Sequence, residues 1–208
     1  MKQIVALVHG VWMTGLEMQW LGLRLRRCGF SVRTFHYPSL RRAPAENAVR
    51  LNDYLGKLDA GIIHLVAHSL GGIVVSHLFD QFPDQRPGKV VMLGSPLNGS
   101  ATAMAIHQRG LDRWLLGASG EQGLLGGVPR WRGGRELAMI AGDRGVGIGK
   151  LLFRALPEPN DGTVAVDETM TPQVGQHLRV PYSHFGMLFA RPVSDAVCAY
   201  LRLGRFTP

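Results

Sequence analysis

The feature that most limits what this chain can become is a rhythm of short, largely apolar runs separated by longer amphipathic ones. Ile4 to Val8, Val32 to Tyr37, Ile62 to Ala67, Val90 to Leu93 and Leu137 to Ala141 have the length of strands. Most of them are continuously hydrophobic rather than alternating, which is the mark of strands covered on both faces. Leu16 to Arg27, Ala45 to Leu58, Ile73 to Phe82 and Val193 to Leu203 carry helical patterns. Strand and helix alternating in this way predict a mostly parallel sheet with right-handed crossovers and helices on both faces. Pro44 at the head of the second helix and Pro83 just past the third supply physical punctuation.

With 208 residues and 46% apolar side chains the chain can bury one substantial core, so a single domain over residues 1–208 is expected. A Gly-rich stretch at residues 97–135 breaks the alternation and reads as an irregular or short-helical excursion. Cys28 and Cys198 are the two cysteines, far apart and each inside a helical pattern. That spacing argues against a disulfide and against a cysteine zinc site, and suits a reducing compartment. The run after Lys2 is too short for a signal-peptide core, and no segment reaches the roughly 18 to 20 apolar residues that cross a bilayer. A cytoplasmic protein is therefore expected.

The formal charge of +8 comes mostly from scattered arginines. Without a zinc-finger spacing or a heptad-bearing basic region it is a weak pointer to anionic partners and a weaker one to nucleic acid, so a nucleic-acid partner is not expected. No HExxH or close Cys/His cluster occurs, so neither metal nor cofactor is expected.

The most specific chemistry lies in Ala67-His68-Ser69-Leu70-Gly71-Gly72, directly after one apolar strand and directly before a helix. A strand-to-helix turn this sharp strains the central serine and lifts its hydroxyl above the sheet, and it needs small residues two before and two after. Ala67 and Gly71 meet that need. Here the chain resembles the α/β-hydrolase superfamily, in particular small bacterial lipases and esterases with a minimal or absent lid. The resemblance rests on the VHG loop, the AHSLGG turn, the NDGTV segment at Asp161 and the SHFGML segment at His184. It implies a minimal α/β-hydrolase core of about six strands, the sixth near Leu178 to Val180. Ala67 departs from the first glycine of G-x-S-x-G.

A serine hydroxyl needs a base, and the base needs an acid to hold its tautomer; the superfamily order is Ser, acid, His. The resemblance implies Ser69 as nucleophile and His184 as base. His177 would emerge at the wrong end of the sheet, and His9, His64 and His77 read as packing or surface residues. For the acid two positions compete: Asp161, in a turn like that of bacterial lipases, is preferred over Asp143 at a strand end, where the superfamily generally puts it. The oxyanion hole is assigned to the backbone N–H groups of Val11 and Leu70, and Trp12, Met13 and His68 to the walls of the pocket.

These parts predict a serine hydrolase of small-molecule or lipid carboxylic esters. The same parts would serve a thioesterase or an acyltransferase, and a basic binding protein without catalysis is the remaining alternative. Between Arg109 and Arg154 eight basic residues face four acidic ones, with Trp114, Leu115 and Trp131 among them. Two readings of this segment stand open: contact with an anionic lipid surface, or a solvated loop whose apolar residues close the local core.

Overall fold

The computed structural model describes residues 2–132, 134–145 and 156–207. Its centre is a six-stranded sheet of β1 (Gln3–Val8), β2 (Ser31–Phe35), β3 (Ile62–His68), β4 (Val90–Leu93), β5 (Leu137–Gly142) and β6 (Gln176–Val180). The order is β2-β1-β3-β4-β5-β6 and every pairing is parallel. The helices are α1 (Gln19–Arg27), α2 (Pro44–Gly56), α3 (Leu70–Gln81), α4 (Ala101–Gln108), α5 (Asp112–Leu115), α6 (Gly186–Phe189) and α7 (Arg191–Leu203).

The continuous apolar runs have the cause the sequence implied. Along β1, Ile4, Ala6 and Val8 join a core with α2, α3 and α4, while Val5 and Leu7 join a second core with α1 and α7 on the opposite face. A strand covered on both faces therefore needs apolar residues at every position, as β4 and β5 show. Because all strands run the same way, their C-terminal ends form one rim, and that rim carries the site described below.

Boundaries shift where side chains capture the backbone. The first helix begins at Gln19 rather than Leu16, since the Glu17 carboxylate accepts the N–H groups of Thr14 and Gly15 and holds those residues in a turn. The second strand ends at Phe35, and Tyr37 leaves the sheet to stack on His9 at 4.2 Å.

The excursion packs on the body of the domain over part of its length. Trp131 packs on Phe79 with ring centres 4.3 Å apart, and Leu116 and Leu124 are buried, so this part closes the core. Trp114 is 80% exposed, with Leu111 and Leu115 exposed beside it. Lys150 and Arg154, which supplied part of the predicted basic charge, lie outside the described residues.

The expectation that the cysteines stay apart is overturned. Cys28 and Cys198 form a disulfide that closes 170 residues. Both belong to the α1/α7 face, where Leu21, Leu25, Val197 and Leu201 share one cluster. Separation along the chain was a poor guide because the last helix returns to pack beside the first. The cysteines thus give no support to a reducing compartment. No helix among the described residues is long and apolar enough to cross a membrane.

Candidate active site

Ser69 lies between the end of β3 and the first residue of α3, with φ 54° and ψ −124°. A positive φ on a non-glycine residue costs free energy, and it persists only where the surroundings enforce it. They do so by close packing. A methyl group on Gly71 would lie 2.4 Å from the Val8 carbonyl oxygen and 2.7 Å from that of His9. One on Gly72 would lie 2.2 Å from the Ser95 hydroxyl. The helix can thus press against the end of β1 only if Gly71 lacks a side chain, and against the end of β4 only if Gly72 does. We expect Gly71→Ala to destabilise the fold by about 1 to 3 kcal/mol through overpacking. Gly56→Ala, with open space around it, should leave stability unchanged or slightly raised. Urea denaturation of the two variants checks this.

Asp161 and His184 meet directly. The His184 Nδ1–H donates to Asp161 Oδ2 at 2.6 Å, with the two side chains 4% and 1% exposed. The other carboxylate oxygen, Oδ1, accepts the backbone N–H groups of Thr163 at 2.9 Å and Val164 at 2.7 Å. The His184 backbone N–H donates to the Asp161 carbonyl at 3.0 Å, so the two residues are tied through main chain as well. The Asn-Asp-Gly turn is real, and it is what aims the carboxylate: Asn160 Oδ1 accepts the Gly162 N–H. A carboxylate only accepts, so the proton lies on Nδ1. Nε2 stays free of hydrogen bonds among the described residues.

Asp143, the competing acid, sits just past β5 and is engaged elsewhere. Arg179 donates to its Oδ2 at 3.2 Å. The chain leaves β5 there and returns at residue 161, against the same strand end, where a methyl on Gly142 would lie 2.8 Å from Asp161 Cβ.

The serine turn and the acid–base pair share the rim of β3, β4 and β5. The Ser69 N–H donates to the Leu93 carbonyl at 2.9 Å. The next residue, Gly94, has φ 56°, and a side chain there would meet Asp161 Oδ2 and His184 Cε1, each at 3.1 Å. A glycine in this place makes room for the pair, a role that a single Gly-Ser-Pro turn in the sequence did not announce. Ser69 and His184 form no hydrogen bond in this structure.

His68 is fully buried, and its Nε2–H donates to the His184 carbonyl at 3.1 Å. Its ring lies 4.6 Å from that of His184, and its Nδ1 has no partner among the described residues. Burial, with repulsion from His184, pushes its imidazole well below the ordinary value, so it is neutral. His68 thus packs against His184 and braces its main chain. Phe185, 46% exposed, stands edge-on to His184 and forms part of the mouth.

The loop after β1 flanks the serine on the other side. A methyl on Gly10 would touch Ser69 Cβ at 3.1 Å, which brings this loop against the Ser69 side chain. Val11 is half-buried, and no acceptor among the described residues takes its N–H. Leu70 opens α3, where first-turn N–H groups lack partners within the helix. Trp12, with φ 60°, is half-exposed and its indole N–H donates to the Leu115 carbonyl at 2.8 Å, joining this loop to the excursion. Met13 is buried in the α1-side core, and its sulfur accepts the Gly10 N–H at 3.2 Å. It anchors the loop more than it lines an opening.

His9, His77 and His64 are engaged within the fold. His9 donates from Nδ1 to the Gly10 carbonyl under the Tyr37 ring, and His77 bonds to the Gln122 carbonyl. His64 accepts the Lys89 N–H, and burial draws its imidazole down to about 4.

Glu168 escaped the sequence reading. Its two oxygens accept the N–H groups of Ala101 at 2.6 Å and Ala165 at 2.9 Å, joining the start of α4 to the loop that carries Asp161. Burial pushes its carboxyl up from the ordinary value. Nothing in Asp167-Glu168 distinguishes it from a surface pair.

A sequence model described as the alpha/beta hydrolase family matches residues 5–205. No curated protein matches the sequence. Among solved structures, a lipase of Bacillus licheniformis in its mature form superposes with a TM-score of 0.73 at 16% identity, covering 99% of this chain and 93% of that one. A metagenomic carboxyl esterase gives a TM-score of 0.70 at 17% identity over 87% of this chain and 64% of its own. A phospholipase of Legionella pneumophila gives 0.68 at 16% identity, over 96% and 55%. At these identities the likeness is one of fold.

Proposed function

The chain belongs to the alpha/beta hydrolase family, and from that premise we propose that it is a serine hydrolase cleaving carboxylic esters through an acyl-Ser69 intermediate. The observation that carries this reading is the 2.6 Å contact between His184 Nδ1 and Asp161 Oδ2, on the rim where the strained Ser69 turn opens. The neighbours of similar fold include a lipase, a carboxyl esterase and a phospholipase, which supports an ester as the substrate class.

In this reading Ser69 Oγ attacks the ester carbonyl carbon while His184 Nε2 takes its proton. Asp161 holds the resulting imidazolium in place. The carbonyl oxygen gains negative charge beside the N–H groups of Leu70 and Val11, each worth about 3 to 4 kcal/mol in the transition state. The C–O bond to the alcohol then breaks as Nε2 returns the proton to the leaving oxygen. Water repeats the sequence on the acyl-serine, releasing the acid and restoring the hydroxyl.

A fluorophosphonate probe and a short-chain p-nitrophenyl ester test this. The wild-type protein should be labelled at one serine and hydrolyse the ester, and Ser69→Ala should do neither while folding normally. A folded wild type that takes no label, or a Ser69→Ala variant that keeps its label, overturns the proposal.

A further inference from the structure

The turn that carries Asp161 is held from outside as well as from within. Two successive peptide units in it bond to Asp161 on one side and to another part of the chain on the other. In the first, the Val164 N–H donates to Asp161 Oδ1 at 2.7 Å, and the Thr163 carbonyl accepts the Thr102 hydroxyl at 2.6 Å. In the second, the Val164 carbonyl accepts the Asp161 N–H at 3.1 Å, and the Ala165 N–H donates to Glu168 Oε2 at 2.9 Å. Glu168 Oε1 accepts the N–H of Ala101 at 2.6 Å, the residue directly before Thr102. Both outer contacts thus converge on the first turn of α4.

The residue types suit these places. Ala101 opens α4, where an N–H has no partner inside the helix. A carboxylate only accepts, so Glu168 can satisfy that N–H and the Ala165 N–H together, one on each oxygen. A peptide unit whose carbonyl accepts a hydrogen bond is polarised, and its own N–H becomes a better donor. The Thr102 hydroxyl therefore strengthens the hold of the Val164 N–H on Asp161 Oδ1. With Oδ1 fixed, the rigid carboxylate has one direction left for Oδ2, toward His184 Nδ1. Three hydrogen bonds lead from the Thr102 hydroxyl to the His184 ring.

We propose that Thr102 and Glu168 are positioning residues for the reaction at Ser69, setting the direction of the Asp161 carboxylate from the start of α4. The proposal rests on the serine-hydrolase reading and adds this helix to its machinery. Both side chains act through the turn and not on the reacting atoms. Misplacing a group by about 1 Å can slow a reaction about a hundredfold, so their loss shows in kcat.

Glu168→Gln and Thr102→Val test this with little change of shape. Glutamine has one acceptor oxygen, so one of the two N–H groups would face its NH₂; valine leaves the Thr163 carbonyl without the hydroxyl. Each should lower kcat for a p-nitrophenyl ester by about tenfold or more, with KM within a factor of about three. Thr102→Ser, which keeps the hydroxyl, and Asp167→Asn, at the exposed neighbour, should keep the wild-type rate. The proton held between His184 Nδ1 and Asp161 Oδ2 gives a low-field ¹H NMR resonance, identified by its loss in Asp161→Asn. That resonance should move or broaden in both test variants and stay in place in both controls. If Glu168→Gln fails to fold, Thr102→Val carries the test alone. Variants that keep the wild-type kcat, or lose kcat with the resonance in place, overturn the proposal, whatever happens to their melting temperature. A resonance that moves in both variants of a protein that hydrolyses no ester and takes no fluorophosphonate label leaves the link from α4 to Asp161 standing, and removes the serine-hydrolase reading instead.

Discussion

Asp161→Asn should lower kcat for ester hydrolysis by about 10⁴, the scale seen when the acid of such a triad is neutralised, with the fold intact. The structure explains why so small a change is so damaging. Oδ1 is held by the N–H groups of Thr163 and Val164, which demand an acceptor. An asparagine would therefore keep its amide oxygen there and turn its NH₂ toward His184 Nδ1. That nitrogen would then have to accept, the ring proton would move to Nε2, and the nitrogen facing the nucleophile would no longer be a base. Asp143→Asn should stay within a factor of a few of wild type, since it removes only the half-exposed contact with Arg179. Steady-state kinetics on a p-nitrophenyl ester, with circular dichroism melts of both variants, gives the answer. If Asp143→Asn shows the collapse and Asp161→Asn does not, the acid is misassigned.

This pair of residues also shows how far the sequence could be read. The sheet was legible because a strand covered on both faces has to be apolar at every step, and β4 and β5 are. The serine turn was legible because its geometry restricts residues by size, as the carbonyls of Val8 and His9 against Gly71 demonstrate. The partner of His184 was only half legible. A strand-end position pointed to Asp143 and a local turn to Asp161, and the choice depends on whether the chain comes back to the rim after leaving it. Gly94 and Glu168 were not legible at all, because their roles exist only once distant segments touch them. His184 presses on Gly94, and the start of α4 on Glu168. Long-range contact of this kind leaves no periodic trace along a chain.

The disulfide belongs to the same class of invisible contact, and its removal should be the largest stability change available outside the core. Linking Cys28 to Cys198 restricts an unfolded loop of 170 residues. The chain-entropy relation then gives about 5 kcal/mol, the top of the roughly 2 to 5 kcal/mol lost when native disulfides are removed. For a domain of this size each kcal/mol shifts Tm by about 2 to 4 °C, so a fall on the order of 10 °C is expected. Cys28→Ser/Cys198→Ser should melt that much lower than wild type, and adding a thiol reductant should lower the wild type toward the variant without moving the variant itself. The second arm matters because Cys198 is nearly buried, and a serine there adds a desolvation cost that reduction does not. Activity at low temperature should survive both treatments, since the bond joins the C-terminal end of α1 to α7, away from the rim that carries Ser69. Wild-type melts that ignore the reductant, or two free thiols titrated in the native protein, would show that the bond does not form. A bond that does form ties the stability of this fold to oxidising surroundings, where such links persist.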